Sequence, residues 1–78
     1  MKIEILSPEK MLFNGEISMA RFPGTEGSFQ ILNNHAPMIA TITEGDINFR
    51  TVDGKEDSVH VKGGIVEVQK NKILVLAE

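Results

Sequence analysis

Gly and Pro recur so often along this chain that no helix of three turns fits. From Pro8 to Gly64 one or the other falls within every ten residues, and no segment keeps a 3.6-residue apolar period. A two-residue period appears instead, in short runs bounded by turn chemistry. Lys2 to Leu6 places Ile3 and Ile5 on one face. Ser7-Pro8-Glu9 breaks that run, either as a turn or as the start of a short helix. Met11-Leu12-Phe13 is a short apolar strand, followed by Asn14-Gly15, the strongest two-residue hairpin signal in the chain. Glu16 to Phe22 sets Ile17, Met19 and Arg21 against Ser18, Ala20 and Phe22. Ser28 to Leu32 and Met38 to Thr43 are further strands. Asp46 to Val52 and Lys55 to Lys62 flank Asp53-Gly54, a second type I′ hairpin candidate. Gly63-Gly64 marks a bulge or bend where side chains would be in the way. Ile65 to Gln69 and Lys72 to Ala77 close the chain around Lys70-Asn71. Nine or ten short strands with regular turns predict an all-β sandwich or barrel. At 78 residues it forms one domain, residues 1–78.

The stretch from Phe22 to Pro37 concentrates the turn chemistry. Pro23 presets φ and Gly24 follows it, which predicts a type II turn; Gly27 then lets the chain reverse into Ser28. Pro37 forces Ala36 out of the helical region. A stiff, exposed loop system of this kind presents a surface to a partner.

Composition removes several classes of function. The formal charge of −3, with scattered Lys and Arg, argues against nucleic acid. There is no Cys, hence no disulfide, thiolate metal site or Cys nucleophile. No apolar run approaches a membrane span and the N-terminus has no signal-peptide pattern, so the chain reads as soluble and intracellular. His35 is the one candidate general base, with Glu26 or Glu44 as orienting acid and Ser28 as hydroxyl. No nucleophile elbow or zincin motif accompanies it, and His35 and His60 are too far apart in sequence to imply a metal site. Gly24-Thr25-Glu26-Gly27 lacks the Lys and the helix start of a phosphate loop and reads as tight turns. The expectation is no catalytic residue, no cofactor and no metal.

One feature does not fit an isolated sandwich. Ile73-Leu74-Val75-Leu76 is apolar on both faces, as are Met38-Ile39 with Ala40 and Ile42, and Ile65-Val66. Either the chain itself covers both faces of these strands, or another subunit covers the outer one.

Four segments in order carry a resemblance: Phe13-Asn14-Gly15-Glu16, Pro23-Gly24-Thr25-Glu26-Gly27-Ser28-Phe29, His35-Ala36-Pro37 and Gly63-Gly64-Ile65-Val66-Glu67-Val68. Together they resemble the N-terminal domain of the ATP synthase epsilon subunit, over essentially the whole chain. The resemblance implies a two-sheet β-sandwich of about ten strands. It implies a non-catalytic rotor part of the central stalk that links the gamma subunit to the c-ring and couples ion flow to ATP synthesis. Such a part meets the catalytic head only indirectly and is held at the cytoplasmic face of the bacterial inner membrane through the complex alone. By position, Glu26, Gly27 and Ser28 fall on the c-ring side, although the place of Ser28 is often acidic in relatives. Ser7, His35, Lys62, Glu67 and Leu74 fall on the gamma side. Asn33-Asn34 replaces the Pro-Gly common before His-Ala-Pro. Family members usually continue into two C-terminal helices, which inhibit ATPase activity and in some bacteria bind ATP; for this chain no helical hairpin is expected. The alternative function is a free-standing β-sandwich module that binds through the Pro23–Pro37 loops.

Overall fold

The computed structural model describes residues 1–78 and contains eight strands and no helix. They are β1 (Lys2–Leu6), β2 (Met11–Phe22), β3 (Phe29–Leu32), β4 (Met38–Ile42), β5 (Gly45–Thr51), β6 (Glu56–Val61), β7 (Gly64–Gln69) and β8 (Lys72–Ala77). Two sheets face each other as a sandwich. Sheet A runs β4-β7-β8-β1 and ends on the first half of β2; sheet B joins the second half of β2 to β3 on one side and to β5 and then β6 on the other. All neighbours are antiparallel except β1 and β8.

The strand count falls below the expected nine or ten because β2 is one strand of 12 residues where two were expected. Asn14-Gly15 is not a hairpin: Asn14 pairs with Glu4 and Gly15 with Ile3, in the body of the β1–β2 ladder. The strand leaves sheet A and enters sheet B at a register shift between Ile17 and Met19. An extra residue there switches the inward parity, so Ile17 is buried before it and Ala20 and Phe22 after it. This is why the run from Glu16 to Phe22 shows no clean alternation. Ser7 to Lys10 forms a turn rather than a helix, closed by the Ser7 N–H donating to the Lys10 carbonyl at 2.9 Å.

Of the turns expected after Phe22, the one at Lys70-Asn71 stands where the sequence places it, and those at Asp53-Gly54 and Pro23-Gly24 differ. Lys70 and Asn71 have φ of 52° and 58° and join Gln69 to its partner Lys72, so the two-residue type I′ geometry occurs here. At Asp53-Gly54 the loop is longer. The Gly54 N–H donates to the Thr51 carbonyl at 2.9 Å and the Thr51 N–H to the Lys55 carbonyl at 2.8 Å, which makes a three-residue loop ending in a left-handed Gly54. Gly24 does not take the positive φ of a type II turn. The chain reverses two residues later, where the Gly27 N–H donates to the Gly24 carbonyl at 3.1 Å. Gly24 is required for close approach: a Cβ there would lie 2.4 Å from the Gly27 carbonyl oxygen and 2.8 Å from the Phe29 ring. Gly64 is the same case in sheet A, with φ 151° and a Cβ position 2.3 Å from the Leu76 carbonyl oxygen, as the bend at Gly63-Gly64 requires.

Every strand sends at least one apolar side chain into a single core of sixteen buried residues, with no buried polar or charged side chain among them. Phe49 packs on Phe13 at a ring separation of 4.3 Å, and Phe22 stacks on Phe29 at 5.3 Å. Full burial of an Ile, Val or Phe side chain contributes about 1.5–3 kcal/mol. That core stabilises a sandwich that has no disulfide to staple it.

Candidate functional site

Alternation along the strands of sheet A decides what its outer face carries. In β8, Ile73 and Val75 point into the core and are fully buried, while Leu74 is half-buried and Leu76 is half-exposed on the other side. The ladders place Leu76 beside Ile65 of β7 and Leu6 of β1, and Leu6 beside Met11 of β2. These four side chains make an apolar row across four strands, open to solvent. The neighbouring row reads Ile39, Glu67, Leu74, Glu4 and Asn14. The row beyond it reads Gln69, Lys72, Lys2 and Glu16, and the Lys72 Nζ reaches back to Glu4 at 3.1 Å. Of the six large apolar side chains that are exposed, Met11, Ile39, Ile65 and Leu76 lie on this one face. The outer sides of these strands are thus not covered by the chain itself.

The expected gamma-side residues distribute along sheet A. Glu67 and Leu74 are directly paired at its middle, beside a shallow pocket that also includes Gln69 and Lys72. Ser7 follows Leu6, the β1 member of the apolar row, and its hydroxyl is engaged with Lys10. Lys62 is exposed immediately before the Gly63-Gly64 bend. His35 lies at the opposite end, where the Asn34 N–H donates to the Asn71 side chain at 2.8 Å and ties the β3–β4 loop to the β7–β8 turn. Glu67 and Leu74 are therefore brought together, while His35 stands apart from Ser7 and Lys62.

His35 is exposed, and its Nδ1 lies 2.7 Å from the Ala36 carbonyl, to which it donates. Of the two carboxylates weighed as its orienting acid, Glu44 is engaged elsewhere, with His60. Glu26 and Ser28 are both exposed at the turn that opens β3. Glu26 and Gly27, with Gly24, Thr25, Phe29 and Ile39 to Thr41, line an open groove of about 430 Å³ between β3 and β4. Among the lining residues, the hydroxyls of Thr25 and Thr41 share a hydrogen bond of 2.8 Å.

One cluster was not anticipated. His60 of β6 sits between two carboxylates, with Nδ1 2.8 Å from Asp46 and Nε2 3.2 Å from Glu44. Hydrogen bonds to Asp46 and then Glu44 hold its pKa above the ordinary 6.5 of an imidazole. The signal for it lay in the β5–β6 turn. A two-residue loop at Asp53-Gly54 would set Asp46 opposite Val61, whereas the three-residue loop sets it opposite His60.

Comparison with known proteins completes the picture. A family model described as the beta-sandwich domain of the ATP synthase delta/epsilon chain matches residues 1–78. The ATP synthase epsilon chain of Chlorobium limicola is 39% identical over 77 residues, covering 99% of this chain and 88% of that protein. The epsilon chain of Leptospira interrogans serovar copenhageni is 41% identical over 78 residues, covering all of this chain and 61% of its own length. Two cryo-EM structures share the fold. In the Euglena gracilis mitochondrial ATP synthase assembly of OSCP, F1 and c-ring, one chain matches with a TM-score of 0.89 at 16% identity, covering 96% of this chain and 48% of that one. In the Tetrahymena thermophila mitochondrial ATP synthase central stalk and c-ring, one chain matches with a TM-score of 0.81 at 21% identity, covering 99% and 62%.

Proposed function

The chain belongs to the ATP synthase delta/epsilon beta-sandwich family, and from that premise we propose that it is a non-catalytic part of the rotor. It joins the gamma subunit to the c-ring and so couples ion flow to ATP synthesis. The observation that carries this reading is the exposed apolar row Ile65, Leu76, Leu6 and Met11. A monomeric surface rarely leaves such a row open, and a large exposed patch rimmed by polar residues marks a protein interface. Here the rim is Lys2, Lys72, Glu4 and Glu67. Gamma is assigned to this face because Glu67 and Leu74 stand in the row beside it.

The exposed turn Glu26-Gly27-Ser28 is assigned to the c-ring side. The turn offers one exposed carboxylate and one exposed hydroxyl to a partner. Attachment to the membrane is then indirect, through the complex, on the cytoplasmic side in a bacterium.

Copurification tests the reading. A tagged chain expressed in cells whose native epsilon chain is deleted should recover gamma and the c-ring. It should also restore ATP-driven ion pumping to membrane vesicles. Recovery of the folded chain alone, with pumping unrestored, contradicts the assignment. Ser28→Lys should leave the fold unchanged while lowering the ratio of ions pumped to ATP hydrolysed. An unaltered ratio would remove Ser28 from the contact.

A further inference from the structure

We propose that the groove between β3 and β4 receives an extended segment of the same partner that covers sheet A, added as a strand to the free edge of β4 at Ile39. The identity of that partner rests on the function proposed above; the strand addition rests on the edge itself.

Strand β4 pairs with β7 along its whole length. Its other edge is only half used. The Thr43 N–H donates to the Pro23 carbonyl at 2.8 Å and the Thr25 N–H to the Thr41 carbonyl at 3.2 Å, around the bridge of Gly24 to Ile42. In an antiparallel ladder successive residues direct both their N–H and C=O to alternate sides. The residues that face Pro23 and Thr25 are Thr41 and Thr43, so Ile39 faces the same way. Its N–H and C=O point out of sheet A into the groove, together with the N–H of Thr41. Strand β3 pairs only with β2 and forms the opposite wall through Phe29. The cleft therefore lies between the β4 edge, whose free hydrogen-bonding groups suit extended backbone, and a wall made by the Gly24–Gly27 turn and Phe29.

The other sheet end shows what a protected edge looks like. Strand β6, the far edge of sheet B, carries Glu56, Asp57 and His60 exposed along it. Charges of that kind discourage strand pairing. The open half of β4 is Met38-Ile39-Ala40, with no charge, and Ile39 is 71% exposed, the most of any large apolar side chain here. Charge narrows the occupant further. The groove carries Glu26 at its turn and no Lys or Arg. The segment that fits is apolar where it meets Ile39 and Phe29 and carries no Asp or Glu near Glu26, whose own carboxylate is left to the c-ring side. The groove is also continuous with the proposed interface, because Ile39 stands in the same row as Glu67 and Leu74.

Amide hydrogen exchange on the intact chain, alone and saturated with the gamma subunit, tests this without any substitution. The Ile39 and Thr41 amides should slow at least ~10-fold on binding, as amides do when they enter a ladder. Ile39→Pro removes an N–H that the β4–β7 ladder does not use and should weaken gamma binding ~10-fold or more, while Ile39→Val, which keeps the N–H, should change it less than ~3-fold. Gamma binding with unchanged Ile39 exchange overturns the strand addition and leaves the proposed function standing. No binding of gamma to the wild-type chain overturns both. Protection of Ile39 that rises with concentration of the chain alone would make a second copy the occupant and equally overturn the proposal.

Discussion

On the outer face of sheet A, Ile65, Leu76, Leu6 and Met11 run side by side across four strands. On the outer face of sheet B, the corresponding row across β3, β2, β5 and β6 reads Gln30, Arg21, Asn48 and Ser58. Both rows are open to solvent in this chain. Sheet B is finished as a surface: Arg21 donates to Gln30 at 3.2 Å, and Arg50 pairs with Glu56 at 3.5 Å. Sheet A is not. One sandwich thus has one face suited to water and one suited to a partner, over a core that both share. Exposure alone does not set the two faces apart; the contiguity of the apolar row does.

The largest effect should come from breaking what the faces share. Ile73→Ala, in the core beneath sheet A, should cost about 2–5 kcal/mol by chemical denaturation. Leu76→Ala, three residues along and outward, should cost less than about 1 kcal/mol in the isolated chain. Equal losses would mean that Leu76 is core and that the two sides of β8 are not distinct.

The next effect falls on binding. Leu76→Asp should reduce affinity for gamma ~30-fold or more, through lost apolar burial and a desolvated charge. Leu74→Asp, beside it, should act in the same direction. Asn48→Asp places a similar charge on sheet B and should leave affinity within ~2-fold, because that face stays hydrated. If Asn48→Asp proved as damaging as Leu76→Asp, the contrast between the faces would fail.

The smallest effect belongs to the polar side, at His60. Its folded pKa is raised, so its pairing with Asp46 and Glu44 stabilises the fold fully below the unfolded imidazole value of 6.5 and fades as pH rises through the folded value. The thermal midpoint should fall slightly over that window. His60→Gln should flatten this part of the profile, and an NMR titration should place the wild-type midpoint above 6.5. A midpoint at or below that value would show that the two carboxylates do not hold the ring in solution.

Much of the sandwich was legible in residue order. Short alternating runs between Gly, Pro and Asn-Gly-type signals specify strands, because only a two-residue period puts Ile3 with Ile5, or Ile47 with Phe49, on one buried face. The apolar doubling in Ile73-Leu74-Val75-Leu76 left two readings, cover by the chain itself or an open outer face, and the exposure of Leu76 decides for the open face. The four quoted segments pointed to the family that the whole chain matches.

Tertiary structure decided the rest, and it did so at the turns. Asn14-Gly15 has ideal hairpin chemistry, yet pairing with β1 holds it extended inside a 12-residue strand. A local preference of about a kilocalorie yields to a ladder and the core beneath it. The Lys70-Asn71 turn was legible in the sequence, but the positive φ of both residues, neither of them Gly, follows from the tight β7–β8 ladder on either side. Asp53-Gly54 takes one loop residue more than its signal suggests, and that residue slides Asp46 opposite His60 and so creates the charged cluster on sheet B. A one-residue change of register moves every side chain of a strand to the other face. Sequence therefore set which residues alternate, and the packed sheets set which of them meet.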